Sequence, residues 1–336
     1  MSKIRVGIVG FGLMGQLYAE YVSRCPDAQI TAIADLDKES LAKARRERGW
    51  QTYEDYLRMY DANVIDLAII TLPDFLHREA VVKAAERRLN ILVEKPFATS
   101  TADAEAMAAA VEKAGVKCMV EFFNRWSPPF FQAKKRVAAN ELGEIVSFAI
   151  ELNDRLWVPT KMLKWAARSS PAWFLMSHTA DLAFWILPER PRAVQARGVK
   201  KLLAGQGIDT YDLIEAFLEY PDGSTGRLSS SWVLPDGMPM VYELTMRIVG
   251  SKAAIDIDTS DQEVHLISHE NLQHPITAWG EVLGYHVGHP YTMLRAFLDA
   301  VREGREPPIT HQEGVRNTRF LSAVHESLST GKTIQL

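Results

Sequence analysis

The sequence predicts an α/β protein. A doubly wound parallel sheet comes first, followed by an α+β region with a large, mainly antiparallel open sheet. Three observations carry this. Strand-like and helix-like stretches alternate over roughly the first 120 residues, the pattern of a parallel sheet with covering helices. From Glu144 onward, strand-like stretches instead succeed one another through turns such as Tyr220-Pro221-Asp222-Gly223, a hairpin signal. And 336 residues exceed one ordinary core, so two domains are expected. The boundary falls between residues 121 and 122, with the closing tail able to pack back on the first domain.

The opening is the most informative stretch. Ile4 to Val9 reads as a short buried strand, Gly10-Phe11-Gly12-Leu13-Met14-Gly15 follows at once, and Gln16 to Arg24 is helical in pattern. Strand, G-x-G-x-x-G, helix is the order of a dinucleotide-binding turn in a Rossmann-type sheet. Phosphates would rest on free N–H groups at the positive end of that helix. A glycine turn alone also occurs without a ligand. Here a second strand, Gln29 to Ala34, ends in Asp35, 20 positions past Gly15, where a carboxylate would take the ribose hydroxyls. Asp35 and Asp37 would repel a 2′-phosphate, so NAD is expected and NADP disfavoured.

Next come two helix-like stretches, Lys38 to Arg48 and Tyr53 to Met59. Val64 to Thr71 is apolar on both faces, typical of a central parallel strand, and runs into Leu72-Pro73-Asp74. A helix from His77 to Arg87 follows, then the strand Asn90 to Val93, ending in Glu94-Lys95-Pro96. The helix Thr101 to Ala114 and the strand Val116 to Val120 complete the set. Ligands of such sheets lie at the carboxyl ends of the strands, which singles out Asp35, Thr71-Leu72-Pro73 and Glu94-Lys95-Pro96. A desolvated Lys95 ammonium could hydrogen-bond an alcohol or carbonyl oxygen. Position alone equally allows a surface lysine at the start of a loop.

Composition excludes several classes. A net charge of −4 and a pI near 6.2 give no footprint for nucleic acid or an anionic membrane. Cys25 and Cys118 lie far apart with no C-x-x-C, which disfavours a metal site or disulfide scaffold and suits a reducing compartment. The first strand begins within four residues of the start, leaving no room for a signal peptide, and no apolar run is long enough to cross a bilayer. A cytoplasmic protein is expected.

In the second half, Ile145–Leu152, Ala193–Val199, Leu213–Tyr220, Thr225–Val233, Tyr242–Val249 and Ala253–Ile257 read as strands. Helices would cover one face of their sheet. Self-association into a homodimer or homotetramer would cover the other. Between the first two strands lies an excursion from Arg155 to Leu187, of the kind that carries binding residues. Five of the eight tryptophans (126, 157, 165, 173 and 185) fall between the crossover and its end. Indoles suit sugar faces but more often fill cores. Arg155, Lys164 and Arg168 could bond hydroxyls. His178 and Asp181 share a helix face at i, i+3. His286 and His289 form a cleft wall or helix start, without the further ligands a metal site needs.

With Gly10-Phe11-Gly12-Leu13-Met14-Gly15 and Glu94-Lys95-Pro96 both present, the whole chain resembles the Gfo/Idh/MocA family. Asn124-Arg125 with Pro129 looks like its crossover segment, and Leu142-Gly143-Glu144-Ile145 like the start of its second domain. Ala296 to Ala300 and Gly331-Lys332 resemble its closing helix and tail. The resemblance implies a nicotinamide-dependent dehydrogenase or reductase of sugars, inositols and related polyols. Lys95, His178 and Asp181 would be catalytic, and His77 and Asn124 would join the cofactor contacts. Arg125, Trp157, Trp165 and Arg168 would meet the substrate. The family carries an acid four residues before the histidine, and this chain has Phe174 there. Two rivals stand beside this reading: a redox-neutral, NAD-assisted lyase or glycosidase, and a non-catalytic NAD-binding sensor in which that departure marks lost chemistry.

Overall fold

The computed structural model describes residues 2–336. The first elements are β1 (Ile4–Val9), α1 (Leu13–Ser23), β2 (Ala28–Ala34), α2 (Lys38–Arg48), β3 (Gln51–Tyr53), α3 (Tyr56–Asp61) and β4 (Leu67–Ile70). They are followed by α4 (His77–Glu86), β5 (Asn90–Val93), α5 (Thr101–Ala114) and β6 (Cys118–Val120). The six strands lie in the order β3-β2-β1-β4-β5-β6, every pair parallel. The order reverses between β1 and β4, the switch point at which such sheets receive ligands. Leu67 to Ile70 are buried throughout, as a strand covered on both faces must be.

Tyr53 to Met59, expected as one helix, is divided. Gln51-Thr52-Tyr53 pairs with Ala32-Ile33-Ala34, and the helix begins only at Tyr56. Asp55 separates the two by capping α3, its carboxylate accepting the Leu57 N–H at 2.8 Å.

The later elements are α6 (Pro128–Ala138), β7 (Ile145–Arg155), α7 (Ser177–Ile186), β8 (Ala193–Val199), the single turn α8 (Leu202–Gly205) and β9 (Leu213–Glu219). Then come β10 (Thr225–Leu234), β11 (Tyr242–Gly250), β12 (Ala254–Asp258) and two small hairpins, β13 (Leu266–Ile267) with β14 (Leu272–Gln273) and β15 (Trp279–Val282) with β16 (Tyr285–Gly288). Helices α9 (His289–Glu303) and α10 (His311–Thr330) and the strand β17 (Ile334–Gln335) end the chain. The large sheet has the order β12-β11-β7-β10-β9-β8-β17. Its pairs are antiparallel apart from β7 with β10, which run parallel. Alternation sorts its faces. Phe148, Ile150, Leu152, Leu228, Leu244 and Met246 join one buried cluster with α7 residues. On the opposite face Arg227 pairs with Glu215 at 2.9 Å and with Glu151, so charged groups line the centre of that side, beside the exposed Phe217.

Two compact units result. One holds the chain up to Glu121 together with Glu281–Thr318, and the other holds Phe122–Gly280 and Arg319–Leu336. The expected second region, 122–336, is thus interrupted. The reason is the packing of α9 and the start of α10 within the first unit. Met293, Leu294, Phe297 and Leu298 are buried, and Arg295 and Arg302 both pair with Asp27, just before β2. A Cβ on Gly314 would stand 2.8 Å from Phe97, which shows how closely α10 begins against the loop after β5. Among the described residues, no helix is long and apolar enough to cross a membrane.

Candidate active site

In the first unit, each glycine of the turn has its own reason. Gly10 has φ +88°, and a Cβ there would meet the Thr71 carbonyl oxygen at 2.8 Å. A Cβ on Gly15 would fall 2.1 Å from the Gly10 oxygen, so only glycine lets α1 approach the turn. A Cβ on Gly12 would meet nothing within 4 Å. No contact inside this chain excludes a side chain there, and the open space suits the close approach of a ligand's phosphates. Gly12 is also the N-cap of α1 and offers no side-chain cap, so the first N–H groups of the helix, at Leu13 and Met14, are available to an anion.

The flanking residues hold the turn in shape. Thr71 Oγ1 donates to the Gly10 oxygen at 2.6 Å. Asp35 accepts the Phe11 N–H and, at 2.8 Å, the Asp37 N–H, which fixes its carboxylate beside the turn. Leu72 and Pro73 continue from Thr71, partly exposed. His77 is fully buried, and its ring nitrogens stand 2.9 Å from the carbonyl oxygens of Leu72 and Pro96. Its ring thereby ties the turn after β4 to the turn after β5. Lys95, half-buried, follows Glu94 at the carboxyl end of β5. Burial lifts the Glu94 carboxyl to about 7, against the opposing pull of Lys95 and its N–H.

In the second unit, the crossover residues meet α7. Arg125 Nε donates to Asp181 Oδ2 at 2.9 Å and Nη2 to Oδ1 at 2.6 Å, and both side chains are buried. The Asn124 side-chain nitrogen Nδ2 stands 3.5 Å from Nδ1 of His178. Phe122 and Phe123 flank the same imidazole, with ring centroids at 6.4 and 5.4 Å. Four sequence-selected residues are thus brought together, in pairs different from those expected. Asp181 is tied to Arg125, and Asn124 to the histidine.

Phe174 lies on a π-helical turn, Ala172–Met176, that leads into α7. Its ring packs against Trp165 at 5.9 Å and Trp232 at 6.1 Å, so the place of the family acid is part of an aromatic cluster. Trp173 stacks on His325 at 4.5 Å and is core. Trp157 and Arg168 are exposed on the same excursion. Sequence reasoning missed Glu121, which is fully buried at the end of β6. Its signal was an acid interrupting the apolar run Cys118-Met119-Val120-Glu121-Phe122.

Comparison with known proteins agrees with this arrangement. The family model "Oxidoreductase family, NAD-binding Rossmann fold" matches residues 4–122, and "Oxidoreductase family, C-terminal alpha/beta domain" matches residues 134–336. The chain is 26% identical to scyllo-inositol 2-dehydrogenase (NAD(+)) of Bacillus subtilis, over 99% of this chain and 96% of that one. It is 23% identical to myo-inositol 2-dehydrogenase of Thermotoga maritima, over 99% and 98%. Among solved structures, scyllo-inositol dehydrogenase of Lactobacillus casei with bound NAD(H) and scyllo-inositol shares the fold. Its TM-score is 0.83 at 19% identity, covering 99% of each chain. The chain belongs to the Gfo/Idh/MocA oxidoreductase family.

Proposed function

We infer that this protein is an NAD-dependent dehydrogenase that transfers hydride between nicotinamide and a hydroxyl-bearing carbon of a sugar, inositol or related polyol. The observation that carries this is the open space at Gly12, in a turn whose other two glycines are required by the chain itself. Backbone N–H groups from Gly10 to Gly15 would hold the pyrophosphate, and Asp35 the ribose. Thr71-Leu72-Pro73 and Glu94-Lys95-Pro96 would border the nicotinamide, which supplies the hydride acceptor when bound.

The chain's own part is proton management. Lys95 donates to the reacting oxygen and holds it as it gains negative character. His178 takes the proton, and Asn124 orients the imidazole in place of the missing acid. Turning the Asn124 amide over, so that Oδ1 replaces Nδ2 toward the ring, would let it accept from Nδ1–H and leave Nε2 as the base. Arg125 neutralises Asp181, which anchors the crossover to α7 and is not itself the proton acceptor.

The test is a panel of inositols, sugars and sugar acids with NAD⁺, following NADH. Net NADH with one class supports the reading. Product without net NADH points to the redox-neutral chemistry, and tight NAD binding without turnover to a sensor. Lys95→Ala should cut kcat about a hundredfold or more and leave NAD affinity in place. We further infer a cytoplasmic homodimer or homotetramer formed through the charge-lined face of the large sheet, which light scattering of wild type and Arg227→Glu would test.

A further inference from the structure

The carboxyl ends of β5 and β6 set two glutamates side by side. Val93 pairs with Val120, and the next residues are Glu94 and Glu121. The backbone repeats the step: Glu94 N–H donates to Ile70 and Glu121 N–H to Val93, each at 2.9 Å. Glu121 is fully buried and Glu94 is 7% exposed. The groups that face them are Lys95 beside Glu94, and Tyr18 and Tyr21 of α1 beside Glu121.

Ionised twice, the pair would be left unsatisfied. A carboxylate only accepts; the Lys95 N–H serves Glu94 and the Tyr18 hydroxyl faces Glu121, yet Glu94 Oε1 and both Glu121 oxygens are buried without a hydrogen-bond partner. Two adjacent buried charges of one sign also repel. A single proton relieves both problems, because a protonated carboxyl donates while keeping acceptor capacity. Burial and the Glu94 charge hold the Glu121 carboxyl well above the usual range. Glu94 rises only to about 7, since Lys95, its N–H and the Glu121 side chain favour the carboxylate. Both tyrosines are pushed upward and stay neutral. Lys95 and its N–H stand beside Glu94, whereas Glu121 is fully buried beside two neutral tyrosines, so the arrangement suits the charge on Glu94 and the proton on Glu121.

We propose that Glu94 and Glu121 hold one proton and one negative charge between them, the Glu121 O–H donating to the Glu94 carboxylate, and that Glu121 is thereby a positioning residue for Lys95. The functional half rests on the reading of Lys95 as the residue that meets the substrate oxygen. The Glu94 carboxylate is the counter-charge beside the Lys95 ammonium. In acid Glu94 takes a second proton, and the ammonium loses its counter-charge.

The test is carbon-13 NMR of the glutamate carboxyl carbons in wild type, Glu121→Gln, Glu121→Leu and Glu94→Gln, titrated alongside kcat/KM. In wild type one carboxyl should titrate near neutrality, and a second should stay protonated beyond it. Glu121→Gln keeps an N–H donor toward Glu94, so the titration stays near neutrality. Glu121→Leu has none, so the Glu94 titration moves to higher pH and the acidic limb of kcat/KM moves with it. If the NMR order holds but the kinetic limb does not follow, the pair exists and the role of Lys95 is wrong. If both carboxyls are ionised by pH 5 in wild type, the proposal is overturned. A downward move of Glu94 in Glu121→Leu overturns it too, because Glu121 would then be a second charge rather than a donor. Should Glu121→Leu not fold, wild type against Glu94→Gln still decides whether a carboxyl stays protonated.

Discussion

Arg125 and Asp181, 56 positions apart, form a two-point ion pair buried within the second unit, with contacts of 2.6 and 2.9 Å. Removing one partner of such a pair leaves an uncompensated buried charge, at a cost of about 3–5 kcal/mol. Asp181→Ala should therefore lower the urea midpoint by an amount equivalent to several kcal/mol. Arg125→Met with Asp181→Leu, which removes both charges, should recover most of it. A loss under about 1 kcal/mol for the single variant would mean that water screens the pair and that Asp181 is open to other work.

Asp35 should make the protein prefer NAD. Its carboxylate is fixed by the Phe11 and Asp37 N–H groups, so it cannot swing away from a 2′-phosphate without losing both. Lys38, a nearby cation, is paired with Glu54 at 3.1 Å. The expected discrimination is about 1–3 kcal/mol, the worth of a lost hydrogen bond to a charged group. Calorimetry should show it, and Asp35→Ser should narrow the gap. Equal affinities for the two cofactors in the parent would contradict the assignment.

The first sheet was legible in the sequence because its signals are local. β-branched strands run straight into glycine, Leu-Pro or Lys-Pro turns, and each turn lands at the carboxyl end where ligands bind. The parallel pairing of β7 with β10 was not legible, because nothing in Ile145 to Leu152 records which later strand will lie beside it. The allegiance of Glu281–Thr318 depends on Asp27 meeting Arg295 and Arg302, across more than 260 positions. At the site, residue types were legible and partners were not. His178 and Asp181 were visible as one helix face, whereas the pairing of each with a neighbouring crossover residue is set by how Asn124-Arg125 packs on α7. Likewise, the place of His77 in the chain cannot show that both its ring nitrogens face carbonyls.

Stability should fall in mild acid. Burial lowers the His289 imidazole from its ordinary value to about 4, so it is neutral in the folded protein at pH 5–6. Its unfolded counterpart protonates below about 6.5. Between those values the unfolded state binds the extra proton, so stability is full above the upper value and is lost as pH falls toward the lower. Each such group contributes a slope of about 1.4 kcal/mol per pH unit. His325, stacked on Trp173 and also shifted downward by burial, adds to it. Urea midpoints between pH 7 and 5 should drop in the parent and drop less in His289→Gln. Parallel curves would show that His289 gains no proton on unfolding.

His178 should be the base, with Asn124 doing the work of the missing acid. Phe174 cannot orient the imidazole, since its ring is committed to Trp165 and Trp232. The Asn124 amide, 3.5 Å from Nδ1, can. A neutral amide orients without adding charge, so oxidation should require the neutral imidazole and rise with pH along a limb that follows it. Asn124→Asp supplies a carboxylate, which favours imidazolium and should move that limb to higher pH. Asn124→Leu should lower kcat without such a shift. Nitrogen-15 shifts of the imidazole separate this titration from that of Glu94. His178→Asn should remove most of the activity and the part of the limb that follows the imidazole, leaving the part that follows Glu94. If it instead oxidises substrate at the parental rate with an unchanged profile, His178 is not the base. The proton must then leave through Lys95, because Arg125 already holds Asp181 as a carboxylate whose oxygens are engaged.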